Sequence, residues 1–397
     1  MNRIGAPRPR QAVLVGGMST AAGVVSNGDV PFMADVGGRP FLTHLIDLLC
    51  DQGFNRFVML LGRLSGAARD YFGDGQGRGI RIAYPHATEA LSPAALTLAA
   101  RSDLEDEFLL MHADTYWPMR FESMWSVYCA SDAAAMATVY NNRDGYAMDT
   151  VKVNAGLVDL FDPTGQSPAH GADVGCAIVQ RDALDLMSSD QGTVESALYP
   201  PLIERRALAV YPTEHRFYSV STPERLAMLR IFLARGPTVI VDCDGVLNRG
   251  PVAPDSVRSV AAFEWLPGAL EALRAFRDAS YRVIVVCLSR GVVSVRELEA
   301  IHDLMRRQAH AAGGRIDALY QCPHDWFAGC NCRKPRPGLL FQAQRDFSLD
   351  LTRTIVLGAD ERTMRAASEA GAVGRLVTTD MPLIAHARDI LQLRTPV

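Results

Sequence analysis

Two stretches of this chain repeat one pattern: a short, unbroken apolar run, rich in β-branched residues, that ends in glycine or acid. The first is "QAVLVGG" at 11–17 and the second "TVIVDCDG" at 238–245. Unbroken apolar runs of this length predict strands buried on both faces, as in parallel sheets. After the first come a helical stretch at about 40–53 and the strands "RFVMLLG" (56–62), "IRIAYP" (80–85) and "EFLLMHAD" (107–114). After the second come a helix at about 267–279, opened by Pro267, and a strand "RVIVVCLS" (282–289). A helix at about 294–312, a short strand "ALYQCP" and a strand "TIVLGAD" (354–360) follow, and the tail after about 380 reads as an amphipathic helix. Strands alternating with helices predict an α/β chain of two doubly wound, Rossmann-like domains, with parallel sheets covered on both faces. The break falls near 232–237, where "RIFLARGP" closes a helix before the next strand, giving domains 1–234 and 235–397.

Composition narrows the function classes. The chain has 397 residues, 48% of them hydrophobic, and a formal net charge of −4. That balance gives no general affinity for nucleic acid or membrane. No apolar run reaches the roughly 18–20 residues of a membrane span, and the apolar stretch near the start is too short for a signal peptide. A cytoplasmic location is expected. Eight cysteines spread over this length do not form a disulfide framework. Cys50, Cys129, Cys176, Cys243 and Cys287 stand singly and read as buried thiols. The other three crowd with a histidine into "CPHDWFAGCNCRKP" (322–335), for which disulfides, a metal site and chance are the candidates.

"VDCDGVLN" (241–248) puts Asp242 and Asp244 at the end of a buried strand, where residues two apart share a face. Paired carboxylates there suit magnesium-dependent phosphoryl transfer, one attacking phosphorus and the other moving the proton. The bland alternative is a solvated turn with two acids.

"DCDGVLN" resembles the first motif of the haloacid dehalogenase phosphatases. "CPHDWFAGCNCRKPRPGLL" resembles a narrower branch, the D-glycero-D-manno-heptose 1,7-bisphosphate 7-phosphatases and histidinol-phosphate phosphatases, over about 238–378. The resemblance implies Asp242 as nucleophile and Asp244 as acid/base. It implies Lys334 holding phosphate and nucleophile charge, with Arg333 and Asn248 at the substrate. The spacing C-x-H-x5-C-x-C of Cys322, His324, Cys330 and Cys332 fits a closed, structural zinc site that fixes Arg333 and Lys334.

Two motifs depart from the family. "VVCLSRG" has Cys287 and Leu288 where the family carries Thr or Ser and then Asn, leaving Ser289 or Arg290 as substitutes if the turn shifts. "VLGADERTMRAA" has Ala359 at the metal-binding aspartate and Thr363 at the second acid. Asp360 reaches Mg2+ alongside Asp242 and Asp244 only if the loop bends, because a one-residue slip at a strand end reverses a side chain.

The first half resembles sugar-1-phosphate nucleotidyltransferases over about 11–230. The resemblance is carried by Gly16-Gly17, "VGGRPFLTHLID", "EFLLMHADTY" and "FYSVSTPERL". Gly16, Gly17 and Asp114 match the family's phosphate loop and first metal aspartate. Ser19, Ala21, Pro31 and Ser219 stand where its loop Gly, Arg, Lys and second metal Asp belong. Three lost charge contacts to a triphosphate, each worth about 1.5–3 kcal/mol, make this a vestigial nucleotide site. His86, His112 and His215 lack ligand spacing and read as surface or loop residues. Tyr116, Trp117 and Trp125 read as core or rim.

The expected reaction is hydrolysis of a sugar phosphate, most directly the 7-phosphate of a heptose 1,7-bisphosphate in nucleotide-heptose biosynthesis, with Mg2+ and structural Zn2+ as cofactors. The rivals are a bifunctional phosphatase and nucleotidyltransferase, and a non-catalytic sugar-phosphate-binding or scaffold protein. Homo-oligomerisation or a pathway-enzyme partner is left open.

Overall fold

The computed structural model describes residues 7–16, 30–85, 91–249, 260–288, 295–324 and 327–392. The chain divides into two compact units, Met1–Leu233 and Ala234–Val397.

The first unit carries strands β1 (Gln11–Val15), β2 (Asp35–Val36), β3 (Arg39–Pro40), β4 (Arg56–Leu60), β5 (Arg81–Ala83), β6 (Glu107–His112) and β7 (Thr115–Tyr116). It continues with β8 (Ala135–Tyr140), β9 (Val151–Asn154), β10 (Leu157–Phe161), β11 (Ala172–Gln180), β12 (Leu208–Thr213) and β13 (Tyr218–Ser219). Its helices are α1 (Phe41–Asp51), α2 (Ser65–Phe72), α3 (Pro93–Ala99), α4 (Phe121–Cys129), α5 (Val194–Glu204) and α6 (Pro223–Leu233). Nine strands form one sheet in the order β5-β4-β1-β6-β11-β8-β12-β10-β9. The first four are parallel, as the apolar runs predict. Beyond them the sheet is mixed, because β11 runs antiparallel to both β6 and β8. The sheet separates two cores: Ala12 and Leu14 face one, Val13 and Val15 the other.

The second unit carries β14 (Thr238–Asp242), α7 (Ala269–Asp278), β15 (Arg282–Leu288), α8 (Val295–Ala311) and β16 (Ala318–Cys322). It continues with α9 (Gly338–Phe347), β17 (Ile355–Gly358), α10 (Glu361–Glu369), β18 (Val373–Leu376) and α11 (Leu383–Gln392). Among the described residues its five strands are all parallel, in the order β16-β15-β14-β17-β18. The chain starts on the central strand and winds to both sides, so loops at the carboxyl ends on either side of β14 border one crevice. Alternation along β14 sets the faces. Val239 and Val241 pack with α7 and α11, while Ile240 packs with α9, α10 and the Cys322 loop. Asp242, two residues after Ile240, emerges on that second face. Among the described residues no helix is long and apolar enough to cross a membrane.

Candidate active site

Asp242 ends β14 and is 4% exposed. Burying a carboxylate is costly unless it is paired, and two groups meet it. Lys334 Nζ donates to Asp242 Oδ2 at 2.5 Å, and Thr363 Oγ1 lies 2.5 Å from the same oxygen. Burial nevertheless raises the Asp242 pKa, with Lys334 and Thr363 pulling the other way. Asp244 lies one turn on. Gly245 follows it at φ +76°, a left-handed conformation suited to glycine. The amide of the buried Asn248 donates to Asp244 Oδ1 at 3.2 Å. The chain therefore doubles back, and Asn248 steadies the second acid.

Asp360 sits one position after Ala359 and serves as N-cap of α10. Its Oδ1 accepts from the Thr363 backbone N–H at 2.9 Å, and its Oδ2 accepts from Arg362 at 2.8 Å. Lys334 Nζ is 3.8 Å from Oδ1. Although partial burial opposes ionisation, Lys334 and Arg362 hold the Asp360 pKa at about 2. A methyl on Gly245 would stand 2.9 Å from Ala359 Cβ, so Ala359 turns its side chain toward the Asp244 turn. The sequence treats Thr363 only as a missing acid. The signal for its real placement is the D-x-x-T spacing, an N-cap aspartate three residues before the threonine.

Lys334 comes from the cysteine-rich loop. Cys322 ends β16, and the ligand atoms of Cys322, His324, Cys330 and Cys332 all lie within 4.8 Å of one another. Cys322 Sγ is 3.6 Å from Cys330 Sγ and 3.4 Å from Cys332 Sγ, and His324 Nδ1 is 3.1 Å from Cys332 Sγ. A disulfide needs about 2.05 Å, whereas tetrahedral zinc thiolates stand about 3.8 Å apart. The four donors thus form a closed set able to hold a metal. Arg333 Nη1 donates to His324 O at 2.8 Å, and Gly338 N–H donates to Asn331 O at 3.0 Å, tying the loop to the start of α9. Ser289 lies outside the described residues, as do Arg290 and, in the first unit, Gly17, Ser19, Ala21 and His86. Cys287 is buried beside Cys243, its thiol pKa raised by burial and then by that neighbour.

In the first unit, Gly16 and Asp114 follow the carboxyl ends of the adjacent strands β1 and β6, in which Val15 pairs with His112. β7 pairs with β13 so that Thr115 faces Ser219, bringing Ser219 beside Asp114. Two histidines differ from the surface reading. His215 is 4% exposed and its Nδ1 lies 2.8 Å from Arg216 O. His112 Nε2 lies 2.7 Å from the buried Glu195 Oε1. Strand β6 and the start of α5, 83 residues apart in sequence, build this pair. Tyr116, Trp117 and Trp125 are core residues.

Burial alone would lower the His112 pKa, but the Glu195 carboxylate raises it to about 9. Asp173 nearby is pushed up to about 7 by burial and by Glu195, while contact with His112 depresses Glu195. A raised folded-state pKa stabilises below the unfolded value, and that stability is lost as pH rises through the folded value. The first unit's melting temperature is therefore expected to fall between about pH 6.5 and pH 9, and His112→Gln should flatten that slope. A profile that stays level across this window in wild type would refute the charged pair.

A doubly wound sheet whose first strand leads into D-x-D, faced by a lysine from the crossover between β16 and β17, defines a phosphatase of the haloacid dehalogenase class. The chain is 37% identical over 145 residues to D-glycero-beta-D-manno-heptose-1,7-bisphosphate 7-phosphatase of Bordetella bronchiseptica, which spans 36% of this chain and 80% of that protein. It belongs to this heptose-bisphosphate phosphatase family of phosphoric monoester hydrolases. The solved D,D-heptose 1.7-bisphosphate phosphatase from B. bronchiseptica, complexed with magnesium and phosphate, overlaps 40% of this chain and 99% of its own. That overlap has 31% identity and a TM-score of 0.38. HddC from Yersinia pseudotuberculosis, complexed with GMP-PN, overlaps 55% of this chain and 96% of its own, at 18% identity and a TM-score of 0.46. No family model matches the chain.

Proposed function

We propose that the second unit hydrolyses a sugar phosphate monoester, with the 7-phosphate of a heptose 1,7-bisphosphate as its substrate. The observation that carries this is the buried Asp242 carboxylate held through one oxygen by Lys334 and Thr363. An Asp242 oxygen attacks phosphorus and the bond from phosphorus to the sugar oxygen breaks, leaving an aspartyl-phosphate. Asp244 gives the leaving oxygen its proton. Asp244 then takes a proton from water, which attacks the same phosphorus, and Asp242 is released with inorganic phosphate. Lys334 offsets charge on the phosphoryl oxygens, and Arg333, beside it in sequence, reaches for the rest of the substrate.

The donor set fits Mg2+, which favours one or two carboxylates completed by substrate phosphate and water. Asp242 and Asp244 would hold it, with Asp360 the third acid across Lys334. Bound there, the ion neutralises phosphate charge. The Cys322, His324, Cys330 and Cys332 set fits Zn2+ as a closed structural site that fixes Arg333 and Lys334.

The first unit, on this reading, is a nucleotidyltransferase-like domain that binds sugar phosphate without transferring a nucleotide. Ser219 beside Asp114 offers a hydroxyl where a second metal carboxylate would be needed. The test is one panel of assays on the purified chain with Mg2+. Phosphate should be released from heptose 1,7-bisphosphate, leaving the 1-phosphate intact. No pyrophosphate should appear with any of the four nucleoside triphosphates and a sugar 1-phosphate. Inertness toward every sugar phosphate would replace this reading with the scaffold one, and pyrophosphate release would establish the bifunctional one.

A further inference from the structure

Thr363 is 3% exposed and stands at the third position of α10, in contact with both members of the Asp242–Lys334 pair. Its hydroxyl has one proton to give. Lys334 Nζ, a donor only, lies 2.5 Å from Thr363 Oγ1, so the hydroxyl accepts there. Two carboxylates compete for its proton: Asp242 Oδ2 at 2.5 Å and Asp360 Oδ1 at 3.0 Å. Asp360 Oδ1 already receives the Thr363 backbone N–H, so the closer Asp242 takes the hydroxyl proton. The side chain has little freedom to do otherwise. A methyl on Gly358 would overlap the Thr363 side chain, so the end of β17 closes against it. Asp360, clamped by Arg362, fixes the first turn of the helix from the other side.

Lys334 and Thr363 therefore both engage one oxygen of Asp242. A carboxylate that turns over exchanges its two oxygens, and attack in line with the leaving group needs one of them held in place. We propose that Thr363 is a positioning residue: together with Lys334 it pins Oδ2 of Asp242, so that Oδ1 is the attacking atom. Asp360, displaced by one position from the family's acid, acts through Thr363 by orienting it. This rests on the phosphatase reading and deepens it. It also accounts for a threonine where the sequence pattern leads one to expect an acid: an uncharged donor orients the nucleophile without adding another negative charge beside it.

The test compares Thr363→Val, which keeps shape and removes the donor, with Thr363→Ser, which keeps the donor and removes the methyl. A second readout that needs no turnover is the 19F spectrum of beryllium fluoride with Mg2+, an aspartyl-phosphate mimic formed on the attacking oxygen. The valine variant should keep its zinc content and melting curve. It should lose about tenfold to a hundredfold in kcat with KM little changed, the signature of misplaced attack, and it should fail to hold the beryllofluoride adduct. The serine variant should recover both. Valine turning over and holding the adduct like wild type would overturn the proposal. So would serine proving as poor as valine, or a loss confined to KM. Wild-type protein that forms the adduct but releases no phosphate would sink the phosphatase reading alone. Absence of both in wild type would sink the two together.

Discussion

Asp242→Asn is expected to abolish phosphate release while leaving the second unit about as stable as wild type. The first half follows from chemistry. An amide neither attacks phosphorus nor leaves as a carboxylate, so the aspartyl-phosphate cannot form. The loss should be at least about a thousandfold in kcat. The second half follows from burial. Asp242 is 4% exposed, and its pKa is raised despite Lys334. A carboxyl whose folded pKa lies above its unfolded value stabilises the fold below the unfolded pKa, and that stability is lost as pH rises through the folded one. At neutral pH the ionised Asp242 is therefore a net cost to the fold. Asparagine keeps the shape and still accepts from Thr363. Lys334 loses its closest acid but retains Asp360 at 3.8 Å. The melting temperature should stay within a few degrees, since the net change is on the order of 1 kcal/mol. Calorimetry alongside a phosphate-release assay checks both halves. Retained turnover would remove Asp242 from the mechanism, and a large drop in melting temperature would show the ion pair to be structural.

Loss of metal from the Cys322, His324, Cys330 and Cys332 set should be the largest structural perturbation available in this chain. The loop from 323 to 337 has few apolar residues, and Phe327 within it is 93% exposed. Its described residues are held by the four clustered donors and by bonds such as Arg333 Nη1 to His324 O and Gly338 N–H to Asn331 O. Structural zinc sites contribute on the order of 10 kcal/mol of apparent binding energy in small domains, and zinc held by these four donors would put part of that into folding. Lys334 follows two residues after the last ligand. When the loop opens, the ammonium leaves Asp242, and the buried carboxylate is stranded at a cost of about 3–5 kcal/mol. Cys330→Ser, or exhaustive chelation, should therefore lower the melting temperature of this unit by about 10 °C and remove phosphatase activity together with zinc. Elemental analysis should return one zinc per chain in wild type. Protein that binds no zinc yet melts and turns over normally would refute the structural role.

The neighbourhood of Asp242 shows how far the sequence reaches. Strand-end acids are legible because a buried apolar run ending in D-x-D leaves the carboxylates little choice but the crevice. The metal donors are legible because all four lie within eleven residues, so the loop itself brings them together. Thr363 is not legible. It reaches Asp242 from 121 positions away, and successive residues of a helix point about 100° apart. Whether Asp360 or Thr363 faces the nucleophile depends on where α10 begins. The His112–Glu195 pair is hidden for a related reason, since neither residue carries a local pattern and only the meeting of β6 with α5 makes them neighbours.

By itself, the sequence determined two α/β units, the parallel sheet of the second unit and the closeness of four candidate metal donors. Each of these is written in local periodicity or close spacing. The tertiary structure alone decided that the first unit's sheet turns mixed at β11, that Asp360 caps a helix, and that Thr363 and Lys334 converge on a single oxygen of Asp242. Those outcomes depend on the register between elements far apart in the chain, which packing sets and local pattern does not encode.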